Sequence, residues 1–233
     1  MTAQADTKTV RDAEKQSAAR AAVQLVESGS VVGLGSGSTA TCAIHFLAER
    51  VRDGLKIVGI PTSQKTKELA EHLGIPLTTL EEHPVIDIDI DGADEIDPQL
   101  NLIKGGGGAQ LREKVIASAA KRFIVVAESA KLVPRLGKFP LPVEVIPFAE
   151  PLIKLRIAAL GAAASLRSGA AGKPYVTDEG HHILDCNFGE IADPAALSRE
   201  LHDIPGVVEH GLFIGMAEIA FVGKDGGVVQ VRR

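Results

Sequence analysis

The amino-acid sequence predicts an α/β fold, with a Rossmann-like, mostly parallel sheet domain and a second, smaller α+β domain. Short apolar runs alternate with segments of helical period, the order that gives right-handed βαβ crossovers. The alternation stops at "LGKFPLPVEVIPFAEP", where prolines cluster as they do at domain crossings. We therefore expect a Rossmann-like catalytic domain over 1–139 and 212–233 and the smaller domain over 140–211.

The elements of the first domain follow from the spacing of its apolar residues. A helix is predicted over 9–27, where valine, alanine and leucine recur at helical spacing until Gly29. "SVVGLGSGSTA" then predicts a buried strand, a glycine turn and a second helix that continues to about Val51. The same spacing predicts strands over 55–63, 85–90 and 121–129, and helices over 64–72 and 111–120.

The smaller domain mixes one long helix with hairpin signals. The alanine-rich segment 152–166 predicts a helix, and "PYVTDEGHHILDCNF" predicts a hairpin that turns at 178–180. A short helix over 194–201 and a strand over 206–213 complete this domain. The tail "AEIAFVGKDGGVVQVRR" predicts a hairpin-like pair that rejoins the first domain.

Composition excludes several classes of function. With a net charge of −5, 3% aromatic residues and no tryptophan, the chain lacks the basic, stacking surface that nucleic acids need. No apolar run approaches the roughly 20 residues of a membrane span, and the polar N-terminus lacks a secretory signal. Cys42 and Cys186 are far apart, and seven histidines show no metal-ligand spacing. We expect a cytoplasmic protein with no nucleic-acid partner, no membrane segment and no metal site.

Polar residues follow three of the predicted strands at the point where each strand ends. Ser36, Asp91 and Lys131 each come just after such a strand. Ligands of parallel α/β sheets bind at the carboxyl ends of the strands. The sequence therefore predicts that these three residues converge on one crevice.

The segment "GLGSGST" at 33–39 matches a dinucleotide fingerprint only in part, because the sixth position of that pattern is Ser38 and not glycine. What remains is a hydroxyl-rich glycine turn at a helix N-terminus. Backbone N–H groups, the helix dipole and the hydroxyls of Ser36, Ser38 and Thr39 favour an anion, most simply a phosphate. A tight turn with serine or threonine as N-cap explains the same residues, so both interpretations stand.

The acidic run "DIDIDGADEID" begins like a calcium-binding loop. The twelfth loop position, where a bidentate glutamate is expected, is Pro98, so we reject calcium. Asp91 and Asp94 could face a ligand from one turn while Glu95 and Asp97 are solvated, and an acidic surface turn is the alternative. Nothing in the sequence explains the additional acid, Asp89, within the strand.

Lys104 precedes four consecutive glycines, and Glu113 follows in an Arg-Glu-Lys triplet early in a predicted helix. The glycines let backbone amides approach a ligand and form an anion-binding nest, and a flexible connector is the alternative. A buried Glu113 could act as a general base, although a carboxylate in the first turns of a helix is also common for dipole reasons alone.

Taken in order, "GLGSGSTA", "DGADEID", "KGGGGA", "REK" and "LGKFPLPVEVIP" closely resemble ribose-5-phosphate isomerase of the A type. "DEGHHILDCNF" and "IPGVVEHGLF" also look like that family's second half, so the resemblance covers nearly the whole chain. It implies a homodimeric aldose–ketose isomerase that interconverts D-ribose 5-phosphate and D-ribulose 5-phosphate in the pentose phosphate pathway. The implied reaction is a metal-free, cofactor-free proton transfer through an enediolate. One departure is Ser36, where the family pattern has threonine.

The resemblance also implies roles for single residues. Glu113 is the implied proton acceptor and general base, and Asp91, Asp94 and Lys104 are the other implied catalytic positions. Lys15 on the first helix is a further candidate for the phosphate. The implied substrate-binding positions are Ser36, Gly37, Ser38, Thr39, Asp91, Gly92, Ala93, Asp94, Lys104, Gly105, Gly106, Gly107 and Lys131.

Two other classes of protein share this architecture. A sugar-phosphate sensor usually carries a separate DNA-binding module, but fewer than 35 residues precede the glycine turn and one predicted helix occupies most of them. A nucleotide- or coenzyme A-binding transferase would need an acyl donor for turnover. The isomerase accounts for Glu113, which sensing alone does not require.

Overall fold

The computed structural model describes residues 2–233, with side chains from Lys8 onward. The chain divides into two compact units. Unit 1 contains the residues up to Ala93, Arg112–Leu132 and Met216–Arg233. Unit 2 contains Asp94–Leu111 and Val133–Gly215.

The helices and strands have the following bounds. The helices are α1 (Thr2–Val23), α2 (Ser38–Arg52), α3 (Gln64–His72), α4 (Gln110–Ala119), α5 (Glu150–Ala159) and α6 (Pro194–His202). The first strands are β1 (Val31–Leu34), β2 (Val58–Pro61), β3 (Ile88–Gly92), β4 (Glu95–Ile96), β5 (Leu102–Ile103), β6 (Phe123–Glu128) and β7 (Leu141–Val145). The later strands are β8 (Ala163–Leu166), β9 (His182–Asn187), β10 (Val207–His210), β11 (Leu212–Phe213), β12 (Ile219–Lys224) and β13 (Gly227–Arg232).

Unit 1 is built on a six-stranded sheet in the order β13-β12-β6-β3-β1-β2. All neighbouring strands are parallel except β13, which pairs antiparallel with β12. The tail therefore joins the first sheet as a hairpin, as the sequence predicts. The chain moves from β1 to one side for β2 and to the other side for β3, so the strand order reverses at β1. In sheets of this kind, such a reversal is where ligands bind.

Helices cover both faces of this sheet. On one face, α1 and α2 pack against the alternate residues of the central strands, including Val32, Ile90 and Val126. On the other face, Ile116 of α4 packs with Ile86 and its neighbours. This arrangement confirms the predicted α/β class with a mostly parallel sheet. The central strands are buried on both sides, which explains why they appear in the sequence as continuous apolar runs.

Unit 2 contains an antiparallel four-stranded sheet, β10-β7-β9-β8, and a small sheet of three short strands, β11-β5-β4. Its apolar core lies where α5 and α6 place Ile153, Ile157, Leu197 and Leu201 against the strands. Among the helices of residues 2–233, none is long and apolar enough to cross a membrane.

The structure differs from the prediction in three places in unit 2. The predicted hairpin that turns at 178–180 does not form, because residues 174–177 are not a strand and β9 pairs with β7 and β8. The predicted helix 152–166 ends at Ala159, and 163–166 form β8. Gly161 has φ +92°, a conformation that ends a helix and that glycine adopts without strain. The proline-rich stretch contains β7, which lies between β9 and β10, and the Pro142 carbonyl accepts a hydrogen bond from Gly211 N (2.7 Å).

The division into units also differs from the predicted domain bounds of 139/140 and 211/212. Residues 94–111, 133–139 and 212–215 belong to unit 2. The reason is pairing: β5 lies between β4 and β11, and the Val133 amide bonds to the Ile96 carbonyl (3.0 Å). Strands of two residues carry too little periodicity to be found from sequence.

Glu144 of β7 gives unit 2 a pH-dependent contribution to stability. It is 1% exposed, and its Oε1 accepts hydrogen bonds from Thr177 Oγ1 (2.9 Å) and from His181 Nδ1 (3.0 Å). Burial raises the pKa of this carboxyl above its ordinary 4.5, and the two hydrogen bonds offset the rise only in part. The folded state then binds a proton more tightly than the unfolded chain, so stability falls as the pH rises from about 4.5 through the raised pKa.

We expect the melting temperature of Glu144→Gln to rise relative to that of the wild type as the pH increases from about 4 to 8. The reason is that the variant has no buried carboxyl to ionise. Glu150→Gln is a control for which the pH dependence of stability has the opposite sign. A hydrogen bond from Lys154 lowers the pKa of Glu150, so its contribution is lost as the pH falls. Thermal melts followed by circular dichroism test both slopes, and a pH-independent difference for Glu144→Gln would contradict the assignment.

Candidate active site

In unit 1, the structure brings the polar strand ends to one edge of the sheet. β1, β3 and β6 are adjacent and parallel, so their carboxyl ends lie side by side. Ser36 follows β1, Asp91 is the penultimate residue of β3, and Lys131 ends a 3-10 turn that follows β6. Gly92 ends β3, and the half-buried Ala93 is the last residue of unit 1 before the chain enters unit 2.

Asp91 binds the glycine turn directly. Its Oδ1 accepts hydrogen bonds from Ser36 N (2.9 Å) and Gly92 N (2.6 Å), and the residue is fully buried. Gly35 makes this approach possible, because a Cβ atom there would lie 2.2 Å from Asp91 Oδ1 and 2.5 Å from Asp91 Cα. The two motifs that the sequence places 55 residues apart are therefore joined by a backbone-to-carboxylate bond.

The Ser36 hydroxyl belongs to a cluster of hydroxyl groups that sequence analysis missed. Its Oγ lies 2.8 Å from Thr62 Oγ1, 2.7 Å from Ser63 Oγ and 3.0 Å from Thr66 Oγ1. Thr66 Oγ1 also donates to the Gly35 carbonyl (3.0 Å). The cluster fixes the turn after β1 from the side of β2 and α3. "PTSQKT" is the only sequence trace of it, and nothing in that stretch points to the glycine turn.

The N-terminus of α2 is not capped by a side chain. Its N-cap is Gly37, with φ +92° and no side-chain hydrogen bond, whereas Ser63 caps α3 and Asp193 caps α6. This geometry argues against the interpretation of Ser or Thr as N-cap. Gly37 and Ser38 are exposed there. Thr39 is buried, and its hydroxyl donates to Glu128 Oε2 (3.4 Å).

Glu113 lies in the first turn of α4 and is 4% exposed. The same helix covers Asp89, which is fully buried. A Cβ atom at Gly33 would lie 2.5 Å from Asp89 Oδ1 and 2.7 Å from Ile116 Cγ2. Asp89 therefore fills the space that glycine leaves under α4, on the sheet face that carries Glu113's helix.

Lys131 is held in place through α1. Glu14 is 8% exposed, and its carboxylate accepts hydrogen bonds from Ser129 N (3.0 Å) and Ser129 Oγ (2.9 and 3.0 Å). These bonds fix the 3-10 turn that ends at Lys131. Lys15, the next residue on α1, has its ammonium 3.6 Å from Asp12 Oδ1. Sequence analysis considered Lys15 and missed Glu14, because a buried carboxylate in a polar helix gives no periodic signal.

In unit 2, Asp94 binds the glycine run. Its Oδ2 accepts a hydrogen bond from Gly106 N (2.7 Å), while Gly108 N donates to the Gly105 carbonyl (3.0 Å). Gly106 and Gly107 are exposed. This bond joins two of the predicted binding segments within unit 2.

Lys104 follows β5 and is 2% exposed, with its Nζ 5.5 Å from the centre of the Phe213 ring. Its backbone N–H donates to the Gly211 carbonyl (2.9 Å), so both ends of the residue are anchored in unit 2. A positive charge at this place would be little screened by water and would be attracted by the face of the aromatic ring.

Glu95 and Asp97, expected to be solvated, are buried and structural. Glu95 accepts hydrogen bonds from Gly137 N (2.7 Å) and Phe139 N (2.6 Å). Asp97 accepts bonds from the amides of Gln99 and Asn101, both at 2.8 Å. Of the last four carboxylates of the acidic run, Asp91 and Asp94 bind the glycine segments, and Glu95 and Asp97 hold the backbone of unit 2.

His202, Glu209 and His210 approach one another closely enough to hold a metal ion. His210 Nε2 lies 3.2 Å from the Ser198 carbonyl and so carries the proton, while its Nδ1 accepts a hydrogen bond from Leu212 N (3.2 Å). With both ring nitrogens engaged in this way, the cluster serves as a hydrogen-bonded support of β10. The expectation that no histidine binds a metal stays a prediction.

The chain matches the family model of ribose 5-phosphate isomerase A (phosphoriboisomerase A) over residues 58–227. It is 55% identical over 220 residues to the ribose-5-phosphate isomerase A of Roseiflexus sp. (strain RS-1), covering 93% of this chain and 94% of that protein. The fold matches ribose 5-phosphate isomerase A of Methanocaldococcus jannaschii with a TM-score of 0.90 and 43% identity, over 94% of this chain and 98% of that one. It also matches a D-ribose-5-phosphate isomerase solved in complex with phospho-erythronic acid, with a TM-score of 0.92, 43% identity and coverage of 94% and 97%.

These matches cover both units and include each segment on which the sequence resemblance rests, apart from the first glycine turn in the family model. Identity at this level over nearly the whole length of both chains is decisive for family. The chain belongs to the ribose 5-phosphate isomerase A family of aldose–ketose isomerases.

Proposed function

We propose that the protein interconverts D-ribose 5-phosphate and D-ribulose 5-phosphate by a metal-free proton transfer through an enediolate, with Glu113 as the general base. Family membership supports the reaction, and the burial of Glu113 is the observation that supports the base. A carboxylate that is 4% exposed meets few competing waters, so it can take a proton from a carbon acid and deliver one to the neighbouring carbon.

The chemistry requires one proton to move between two carbons. In the open-chain aldose, Glu113 takes the proton from C2, and the C2–H electron pair becomes the C1–C2 double bond while negative charge develops on O1. The C2 hydroxyl proton passes to O1, the enediolate accepts the proton from Glu113 at C1, and the C2 oxygen becomes the ketose carbonyl. No atom is gained or lost, and the carboxylate returns to its first state. Such general base catalysis contributes roughly 10²–10⁴-fold.

Lys104 and the amides of Gly105 and Gly107 are proposed to stabilise the developing negative charge on oxygen, while the Gly106 amide donates to Asp94. The ammonium of Lys104 is buried, and the glycine run is fixed by Asp94, so these donors need little reorganisation during the reaction. The relative solved with phospho-erythronic acid supports an enediolate intermediate, because that acid combines a phosphate with a planar, anionic O–C–O group that resembles an enediolate.

The phosphate is proposed to bind at the N-terminus of α2, with Lys131 as a second contact. The uncapped N–H groups after Gly37 and the positive end of the helix dipole suit a dianion. Asp91 holds the loop, and with Asp94 it is proposed to bond the sugar hydroxyls and assist ring opening. Binding energy from the phosphate then supports positioning of the reacting carbons.

A time course of ribose 5-phosphate in D₂O with a chelator present, followed by NMR, tests the function. We expect ribulose 5-phosphate to form and deuterium to enter at C1 of the ketose and C2 of the aldose, because the enediolate collects its proton from a base that exchanges with solvent. Absence of conversion by the wild type would exclude the isomerase. Conversion only after a divalent metal is restored would exclude the metal-free mechanism.

The homodimer and the cytoplasmic location implied by the sequence are part of the same proposal. The family resemblance supports the dimer, and the composition and the two free thiols, Cys42 and Cys186, support a reducing compartment.

A further inference from the structure

The glycine run of unit 2 poses a physical problem for the proposed chemistry. Four consecutive glycines form the backbone with the largest conformational freedom available to a protein, and Gly106 and Gly107 are exposed to solvent. Backbone amides that stabilise a transition state must nevertheless be fixed before the reaction begins. Groups outside the run have to supply that order, and the bond from Gly106 N to Asp94 fixes only one of the four glycines.

Arg167 reaches the run from the end of β8. Its NH1 donates to the Gly105 carbonyl (2.8 Å) and lies 3.4 Å from the Gly106 carbonyl. The other edge of the guanidinium is held by Asp185 of β9, through Nε to Oδ2 (3.0 Å) and NH2 to Oδ1. The Arg167 side chain is 13% exposed, so this paired geometry is largely shielded from water. A guanidinium has rigidly placed donors on each edge, so it can clamp a carboxylate and a carbonyl at once.

Tyr175 completes the clamp on the following residues. Its hydroxyl donates to the Gly107 carbonyl (3.3 Å), and its ring occupies the space that a Cβ atom at Gly108 would need, with Oη 2.5 Å from that position. The Arg167 guanidinium carbon lies 6.0 Å from the ring centre, and Tyr175 N donates to the Arg167 carbonyl (2.8 Å). Three successive glycine carbonyls are thus bound from one side by two neighbouring side chains.

We propose that Arg167 is a positioning residue that fixes the backbone of Gly105–Gly107 through their carbonyls and so orients the amides of the run. The role in catalysis rests on the proposed function, in which those amides contact the substrate. Arg167 itself touches no reacting atom. Asp185 and Tyr175 support it, the first by holding the guanidinium and the second by extending the clamp to Gly107.

The experiment measures two properties of Arg167→Ala in the full chain. The first is amide hydrogen exchange of the peptide covering 102–111, which we expect to be faster than in the wild type. The second is steady-state conversion of ribose 5-phosphate, where we expect kcat to fall by up to about 10²-fold with a smaller change in KM, because misplacement of catalytic donors acts mainly on the transition state. Guanidinium ion added to the variant should restore part of kcat.

Arg122→Ala is the matched control. Arg122 also makes a two-bond pair with a carboxylate, that of Glu218 (2.9 and 3.0 Å), but it lies in unit 1 and is not bonded to the glycine run. The Arg122→Ala substitution should lower the stability of the protein without changing amide exchange of 102–111, kcat or KM. Tyr175→Phe removes one hydroxyl and should keep the fold. It should raise amide exchange of 102–111 and lower kcat, both by less than Arg167→Ala does.

The proposal would be overturned if amide exchange of 102–111 in Arg167→Ala were as slow as in the wild type. It would also be overturned if Arg167→Ala lost no more activity than Arg122→Ala. If Arg167→Ala does not fold, Arg167→Lys and Tyr175→Phe decide it, since a lysine cannot bond Asp185 at two points and the carbonyl together. A wild type that does not convert ribose 5-phosphate would refute the proposed function, whereas the exchange measurement would still decide whether Arg167 orders the run.

Discussion

Glu113→Gln is expected to lower kcat for ribose 5-phosphate by about 10²–10⁴-fold while leaving KM nearly unchanged. The amide has almost the shape of the carboxylate and fits the same buried place in the first turn of α4, but it cannot accept a proton from carbon. Substrate held through its phosphate and hydroxyls should still bind. In D₂O the variant should show neither ribulose 5-phosphate nor deuterium at C1 or C2 on the time scale of the wild-type reaction.

The control separates catalysis from helix stability. Glu150 is also a first-turn carboxylate, on α5, and Glu150→Gln removes the same favourable interaction with a helix dipole. It should cost little stability and leave kcat unchanged. Conversion by Glu113→Gln at the wild-type rate would show that another group is the base, with the isomerase function intact. Equal losses in both variants would mean that the effect arises from helix stability and not from proton transfer.

The fold class was predictable because the parallel strands of unit 1 are buried on both faces and their helices keep a clear period. The predicted helix over 64–72 coincides with α3, and the predicted 111–120 with α4 to within one residue at each end. The secondary structure of unit 2 was harder to predict from the sequence. Segment 152–166 is uniformly rich in alanine and leucine, so the helix and the strand that follows it look alike until the conformation of Gly161 is known.

The candidate site was predictable to the extent that its residues follow strand ends or belong to segments with a distinctive composition. Ser36, Asp91 and Lys131 could be placed because parallel strands end at one edge. Glu14, Thr66 and Arg167 could not, since each acts from a distant element through one or two hydrogen bonds to backbone or hydroxyl groups. Such contacts depend on tertiary structure and leave no local pattern.

Gly35→Ala is the second change for which a large effect is expected. A methyl group at this position would lie 2.2 Å from Asp91 Oδ1, 2.4 Å from Asp91 Cγ and 2.5 Å from Asp91 Cα. The clash includes backbone, so a rotamer change of Asp91 cannot relieve it. Either the loop or the end of β3 must move, which costs about 1–3 kcal/mol in the free energy of unfolding, as overpacking does in other cores. The bond from Ser36 N to Asp91 Oδ1 is lost with the movement.

Displacement of this loop by about 1 Å should lower kcat/KM by about 10²-fold, because the same turn leads into the α2 N-terminus proposed for the phosphate. Gly54→Ala separates this effect from general destabilisation. Gly54 has φ +105° and nothing within 4 Å of its Cβ position, so alanine there is strained but meets no neighbour. It should cost roughly 1–2 kcal/mol and leave kcat/KM unchanged at a temperature where both variants are folded. Denaturant titration and steady-state kinetics on the two variants test this prediction. Similar losses of stability with a loss of kcat/KM only in Gly35→Ala would assign the loss to the contact with Asp91. Full activity in Gly35→Ala would show that this contact does not shape the site.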